Sequence, residues 1–303
     1  MIRIQTIAID IGRYGVKYYT EHNNKIYKGM FKSIIGEGRA LDFSNYSDPI
    51  YISNGLEKYF VGTLAELESY QSVRNTSDSK TSLTVQVLLN AVLSKVAMTN
   101  NINIMLGVPY SSYTKTVLMD IVKTYQNKKI TIKDEILNTN KTITIDKIDI
   151  AREADGVLFD VTKGELNENK DEAFITVGMK TTEISYYSKG QYVDRLSRTI
   201  HYGNQDILKT VQNKLKDMNI TQDLNYIDSS NDYDDMKRDA YKLASEVLTQ
   251  KIEEIIPNGF VETNVYIAGG TILNIELDDR FIRIEEPQLS VVRGLYNMSK
   301  FIF

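Results

Sequence analysis

The residues that could do chemistry are concentrated near the start of the chain. An apolar run, Ile7-Ala8-Ile9, leads straight into Asp10, Gly12 and Lys17, and then into a second run rich in Val and Tyr. This pattern predicts a hairpin whose tight turn carries an acid, a base and the glycines 12 and 15. Glycine accepts positive φ and lets a backbone approach a ligand closely. Amides freed at such a turn form an anion-binding concavity, to which Lys17 adds a point positive charge. Asp10, at the strand end, is placed to hold the water shell of a magnesium ion that accompanies phosphates. An ordinary hairpin with a polar turn would show the same D-x-G-x(4)-K, so the rest of the chain must decide.

Two further segments carry compatible chemistry. In Thr176-Val177-Gly178-Met179-Lys180-Thr181-Thr182 a glycine permits close approach and hydroxyls can bond phosphate oxygens. In Ile267-Ala268-Gly269-Gly270-Thr271 an apolar strand ends in two glycines, a flat backbone surface for a base or ribose. Each is unspecific alone; their order and separation along one chain are not.

The elements that position these segments follow from periodicity. Residues 1–20 read as two strands around a turn, and the same strand–turn–strand pattern returns from 173, a repetition of architecture without sequence identity. Two such halves are expected to face each other across a cleft, a common place for a nucleotide. Short β-like pieces fill 25–62, two of them joined by Asn54-Gly55, which predicts a type I′ turn. Dense apolar spacing predicts a mostly buried helix over 82–98, and Ser111-Ser112 offers the N-cap of another through Tyr125. Strands are expected at 101–109, 129–150 and 264–268, helices at 203–217, 234–256 and from 287 or 290 to the end. The acidic stretch 228–235 reads as an exposed loop.

Composition removes several function classes. The 303 residues contain no cysteine and only His22 and His201, so thiolate chemistry, Cys-ligated zinc and histidine-based triads are not expected. His201 reads as a strand-end polar residue. A net charge of −4 argues against broad phosphate-neutralising binding to nucleic acid. No apolar run approaches the roughly 20 residues that span a bilayer, and the N-terminus lacks a signal-peptide layout, so a cytoplasmic protein without membrane partners is expected.

The three segments in order resemble the phosphate-1, phosphate-2 and adenosine motifs of the actin-like ATPase superfamily. Within it the chain is most similar to the bacterial plasmid-segregation actins of the ParM/StbA and Alp type. Tyr59-Phe60-Val61-Gly62-Thr63-Leu64-Ala65, Leu106-Gly107-Val108-Pro109 and Glu285–Tyr296 resemble further segments of that group. The resemblance implies an α/β, actin-like (ribonuclease H-like) two-domain fold of two pseudo-symmetric halves around a nucleotide cleft. Domain I would comprise 1–163 plus 288–303 with a small insertion about 30–80; domain II would comprise 164–287 with a helical insertion about 205–258.

It further implies ATP, with GTP as the alternative, and Mg2+ as cofactors. Asp10, Gly12, Arg13, Tyr14 and Lys17 would form one phosphate-binding set, with Asp10 the metal residue. Thr176, Gly178, Lys180, Thr181 and Thr182 would form the second, and Gly269, Gly270 and Thr271 the adenosine surface. Glu153, with Asp155 as fallback, matches the position that orients the lytic water; Arg152 stands where the group has Pro. Thr176 stands where the family has an Asp, which puts metal affinity and hydrolysis rate in question more than nucleotide binding. The implied function is a homopolymeric filament that segregates plasmid DNA through a DNA-binding adaptor on the centromere, without binding nucleic acid itself. A small-molecule kinase of the same fold and a non-hydrolysing nucleotide-dependent scaffold are the rivals.

Overall fold

A computed structural model describes residues 4–77, 79–256 and 259–303. The chain divides into two compact units. One comprises residues 1–108, 112–152 and 292–303; the other comprises 109–111 and 153–291.

The first unit contains β1 (Gln5–Ile11), β2 (Gly15–His22), β3 (Lys25–Lys32), β4 (Ile34–Glu37), β5 (Ile50–Asn54), β6 (Glu57–Val61), α1 (Thr63–Glu68), β7 (Ser72–Arg74), α2 (Leu83–Val96), β8 (Asn101–Val108), α3 (Lys115–Tyr125), β9 (Lys129–Asp134) and β10 (Thr139–Arg152). Its strands form one ten-stranded sheet in the order β3-β2-β1-β8-β10-β9-β5-β6-β4-β7. β1 and β8 are nearly continuous apolar runs because they lie in the parallel centre, β1 beside β8 and β8 beside β10. α2 is largely buried, and its valines and leucines from Val85 to Val96 lie in the same core as Ile7, Ile9 and Ile104.

The second unit contains α4 (Glu153–Thr162), β11 (Asp171–Val177), β12 (Thr182–Ser188), β13 (Gln191–Tyr192), β14 (Arg198–Ile200), α5 (Asn204–Asp217), α6 (Leu224–Ser229), α7 (Asp234–Glu253), β15 (Thr263–Ala268) and β16 (Phe281–Arg283). The strand order is β13-β12-β11-β15-β16, with β14 also on β12. The final helix, α8 (Ser290–Ile302), begins in this unit and continues in the first.

The architectural repetition expected from the sequence is present. In each unit a central strand has an antiparallel hairpin partner on one side and a parallel neighbour on the other: β2-β1-β8 and β12-β11-β15. The α/β actin-like fold expected from the sequence is borne out below by comparison with solved structures.

Several local expectations are corrected. Asn54 pairs with Glu57 inside the ladder, so the two-residue loop is Gly55-Leu56. Gly55 has φ +74° while Leu56 has no positive φ, which matches a type II′ turn and not type I′. The N-cap of α3 is Thr114, whose hydroxyl accepts from the Val117 amide at 3.5 Å, whereas Ser111 and Ser112 lie in a separate 3-10 turn. The acidic stretch 228–235 is not a loop throughout; it contains the end of α6, a 3-10 turn at 231–233 and the start of α7. The second compact unit takes in the whole of α4, starting at Glu153. The reason is that α4 packs on β11, β12 and β15, and Gly156 lies so close to Val291 that a Cβ would sit 2.6 Å from its carbonyl oxygen.

Candidate functional site

The turn of the first hairpin, Gly12 to Tyr14, is closed by the Gly12 amide donating to the Gly15 carbonyl at 3.1 Å. Neither glycine has positive φ, contrary to expectation. Gly12 sits close instead: a Cβ there would lie 3.0 Å from the Gly15 oxygen, which would have to give way by a few tenths of an ångström. Two neighbouring segments fasten the turn, since the Ser33 hydroxyl (2.6 Å) and the Asn75 amide (3.3 Å) both donate to the Gly12 carbonyl. Asp10 is buried at 3% exposure and stands opposite Lys17 in the ladder, its Oδ2 accepting from the Lys17 ammonium at 3.0 Å. Its Oδ1 is buried and accepts no hydrogen bond. Arg13 is half-buried, and Tyr14 is exposed with the Arg74 guanidinium 5.9 Å from its ring centre.

Lys80 belongs to this group and escaped the sequence reading. It is buried, and its ammonium donates to the Ile11 carbonyl at 2.8 Å, one residue before the turn. The Tyr125 hydroxyl donates to the Lys80 carbonyl at 2.6 Å and fixes the segment. A lysine in a run of Ser and Thr gives no signal of such burial.

The second hairpin closes in the same way, the Gly178 amide donating to the Thr181 carbonyl at 2.8 Å. The first turn of α5 docks on it: Asn204 donates to the Gly178 carbonyl (3.1 Å) and Gln205 to that of Met179 (2.8 Å). Gly203 permits this, since a Cβ there would lie 2.6 Å from the Gly178 oxygen. Thr181 and Lys180 lie in the turn, half-buried. Thr182 does not present its hydroxyl to a ligand; it is fully buried and donates to the Tyr202 carbonyl at 2.9 Å. Thr176 is buried opposite Glu183. Glu183 is a second residue missed in the sequence. Its Oε2 accepts from the Tyr110 amide (3.0 Å) and the Thr199 hydroxyl (2.7 Å), whereas the buried Oε1 has no hydrogen-bond partner. Burial pushes its carboxyl above the ordinary range, against the opposing pull of the Thr199 and Thr181 hydroxyls, the Tyr110 amide and His201.

The third segment meets the second within the same unit. The Thr271 hydroxyl donates to the Gly178 carbonyl at 2.9 Å. Gly269 has φ +106°, and a Cβ on it would fall 2.2 Å from the Val177 oxygen, so the strand end and the hairpin interlock only with glycine there. Gly270 faces open space, with nothing within 4 Å of a built Cβ. Glu153 is the first residue of α4, half-buried, where the helix dipole favours a carboxylate. Asp155, the fallback, is engaged by the Ser185 hydroxyl at 2.8 Å.

Among the described residues no group of three or more His, Asp or Glu stands ready to cage a metal ion. Magnesium does not need one. It keeps most of its waters and takes one or two carboxylates plus phosphate oxygens. A buried carboxylate oxygen without a partner, as on Asp10, fits that role.

The same strand–turn–strand hairpin, built once in each of two α/β units, fits an actin-like fold, and solved structures agree. An archaeal actin homologue, Ta0583, superposes with a TM-score of 0.80 at 13% identity, over 98% of this chain and 100% of that one. A non-polymerisable quadruple mutant of pCBH ParM gives 0.80 at 21% identity, over 99% and 100%. The Alp12 filament structure gives 0.67 at 16%, over 98% and 99%. Residues 8–156 match the family model described as actin like proteins N terminal domain. A comparison with curated protein sequences returns no match.

Proposed function

We propose that this chain is a filament-forming actin-like ATPase that polymerises with ATP, or GTP, and segregates plasmid DNA through a DNA-binding adaptor, in the cytoplasm. One observation carries the nucleotide reading: the same amide-closed hairpin turn occurs once in each unit, and beside each a buried carboxylate keeps an unpartnered oxygen. In this reading Gly12, Arg13, Tyr14, Lys17 and Lys80 surround phosphate at the first turn, and Gly178, Lys180 and Thr181 at the second. Gly269, Gly270 and Thr271 lie along the nucleoside. Asp10 would hold a magnesium ion, which would supply neutralisation of phosphate charge. Glu153 accepts a hydrogen bond from water and orients it toward the γ-phosphate. Assembly is supported by likeness to a 15-stranded ParM filament from Clostridium botulinum, at a TM-score of 0.79 and 21% identity. Nucleotide is supported by likeness to the Ta0583 complex with ADP, at 0.79 and 13%.

Light scattering and phosphate release after adding ATP and magnesium test the proposal together. Scattering that rises with nucleotide, phosphate that follows it, and silence of Asp10→Ala in both are expected. Phosphate release without scattering would favour a plain hydrolase over a filament. Scattering without phosphate would favour a non-hydrolysing scaffold.

A further inference from the structure

The two hairpins can be laid on each other by their closing hydrogen bonds, Gly12 to Gly15 and Gly178 to Thr181. Two residues before each glycine stand Asp10 and Thr176; two residues after each closing residue stand Lys17 and Glu183. In each hairpin these two positions are direct cross-strand partners, Asp10 with Lys17 and Thr176 with Glu183. Directly opposed residues share a face, with Cβ atoms about 5 Å apart. The acid therefore sits on the first strand in one hairpin and on the second strand in the other.

We propose that Glu183 is the positioning carboxylate of the second phosphate turn, taking the place across the hairpin of the acid that Thr176 lacks, and that its Oε1 accepts hydrogen bonds from the hydrated divalent cation of the nucleotide. The inference rests on the nucleotide reading above. Glu183 is held for the task. It is 1% exposed, and its Oε2 is clamped by the Tyr110 amide and the Thr199 hydroxyl, which fixes the carboxylate plane. The remaining oxygen is buried without a hydrogen bond, as Oδ1 of Asp10 is. A carboxylate withdrawn from water in this way is costly unless something absent from the polypeptide completes it. The Thr182 hydroxyl cannot substitute, because it is committed to the Tyr202 carbonyl.

The test moves the charge back. Glu183→Gln keeps an oxygen for the Tyr110 amide and the Thr199 hydroxyl, so the protein should still fold. The magnesium concentration for half-maximal binding of a fluorescent ATP analogue should then rise at least fivefold. Adding Thr176→Asp to that variant should recover most of the loss, whereas Thr176→Asp alone crowds two carboxylates on one face and should not improve on wild type. An unchanged magnesium requirement in Glu183→Gln would overturn the inference, and so would a double variant no better than the single. Should Glu183→Gln fail to fold, Glu183→Asp replaces it. That shortened carboxylate should raise the magnesium requirement, and an unchanged value would overturn the inference. Wild type that binds no nucleotide at any magnesium concentration would instead remove the functional reading itself.

Discussion

Lys80 shows how a single side chain can separate stability from ligand binding. Its buried ammonium has one acceptor among the described residues, the Ile11 carbonyl, and no carboxylate within ion-pair distance. Holding an ammonium in that state costs stability unless an anion completes it. Lys80→Met should therefore leave the melting temperature of the ligand-free protein unchanged within a few degrees, or raise it. Nucleotide affinity should fall by about fivefold or more, since a charge-assisted contact contributes about 1 kcal/mol or above. Calorimetric titration beside a thermal melt checks both; lost stability with intact affinity would make Lys80 a strut for the turn and nothing more. The placement of Asp10, Gly12 and Gly269 at strand ends was legible in the sequence, because apolar runs lead directly into them. Lys80 and Glu183 were not, because their meaning lies in burial and cross-strand register. Neither is written in local spacing.

At the scale of elements, the join between β5 and β9 is the thinnest in the large sheet. It pairs only Ile52 with Asp134 and Ser53 with Lys133. Glu135 reinforces it: the Ser53 hydroxyl donates to one carboxylate oxygen at 2.6 Å, and Lys58 and Lys133 each lie 3.3 Å from the other. These partners, the Ser53 hydroxyl first, hold the Glu135 carboxyl below its ordinary range. A depressed value means that the native state favours the charged form, so its contribution is present above the unfolded-state value and is lost as pH falls. Glu135→Gln should cost about 1 kcal/mol at neutral pH. The difference from wild type should close as pH drops below the ordinary carboxylate value of 4.5, which denaturant titrations at several pH values would reveal. Sequence periodicity identified the hairpins on either side of this join, but a pairing between residues about 80 positions apart leaves no local trace. The slip of the Asn54-Gly55 turn has a similar origin. Local composition suits two adjacent registers, and the ladder from Asn54 to Glu57 selects one.

For the molecule as a whole, the repeated order strand, turn, strand was readable along the chain, while the extent of the sheets was not. The sheet edges bear on how such a chain can associate. β7 and β16 have three residues each and β13 has two, too short to template another strand. β3, with eight, is the long edge, and its sequence KIYKGMFK places Lys25, Lys28 and Lys32 along it. Lysine on an edge strand discourages edge-to-edge pairing. Lys25→Thr with Lys28→Thr should yield material that sediments without nucleotide, and a variant that stays in the supernatant would show that the lysines are incidental. Under the proposed function a polymer must form on cue, and a backbone rail that is always adhesive would defeat that. With the rail electrically guarded, such a polymer would have to be joined by side-chain surfaces, the kind of junction that a bound ligand can turn on and its breakdown can turn off.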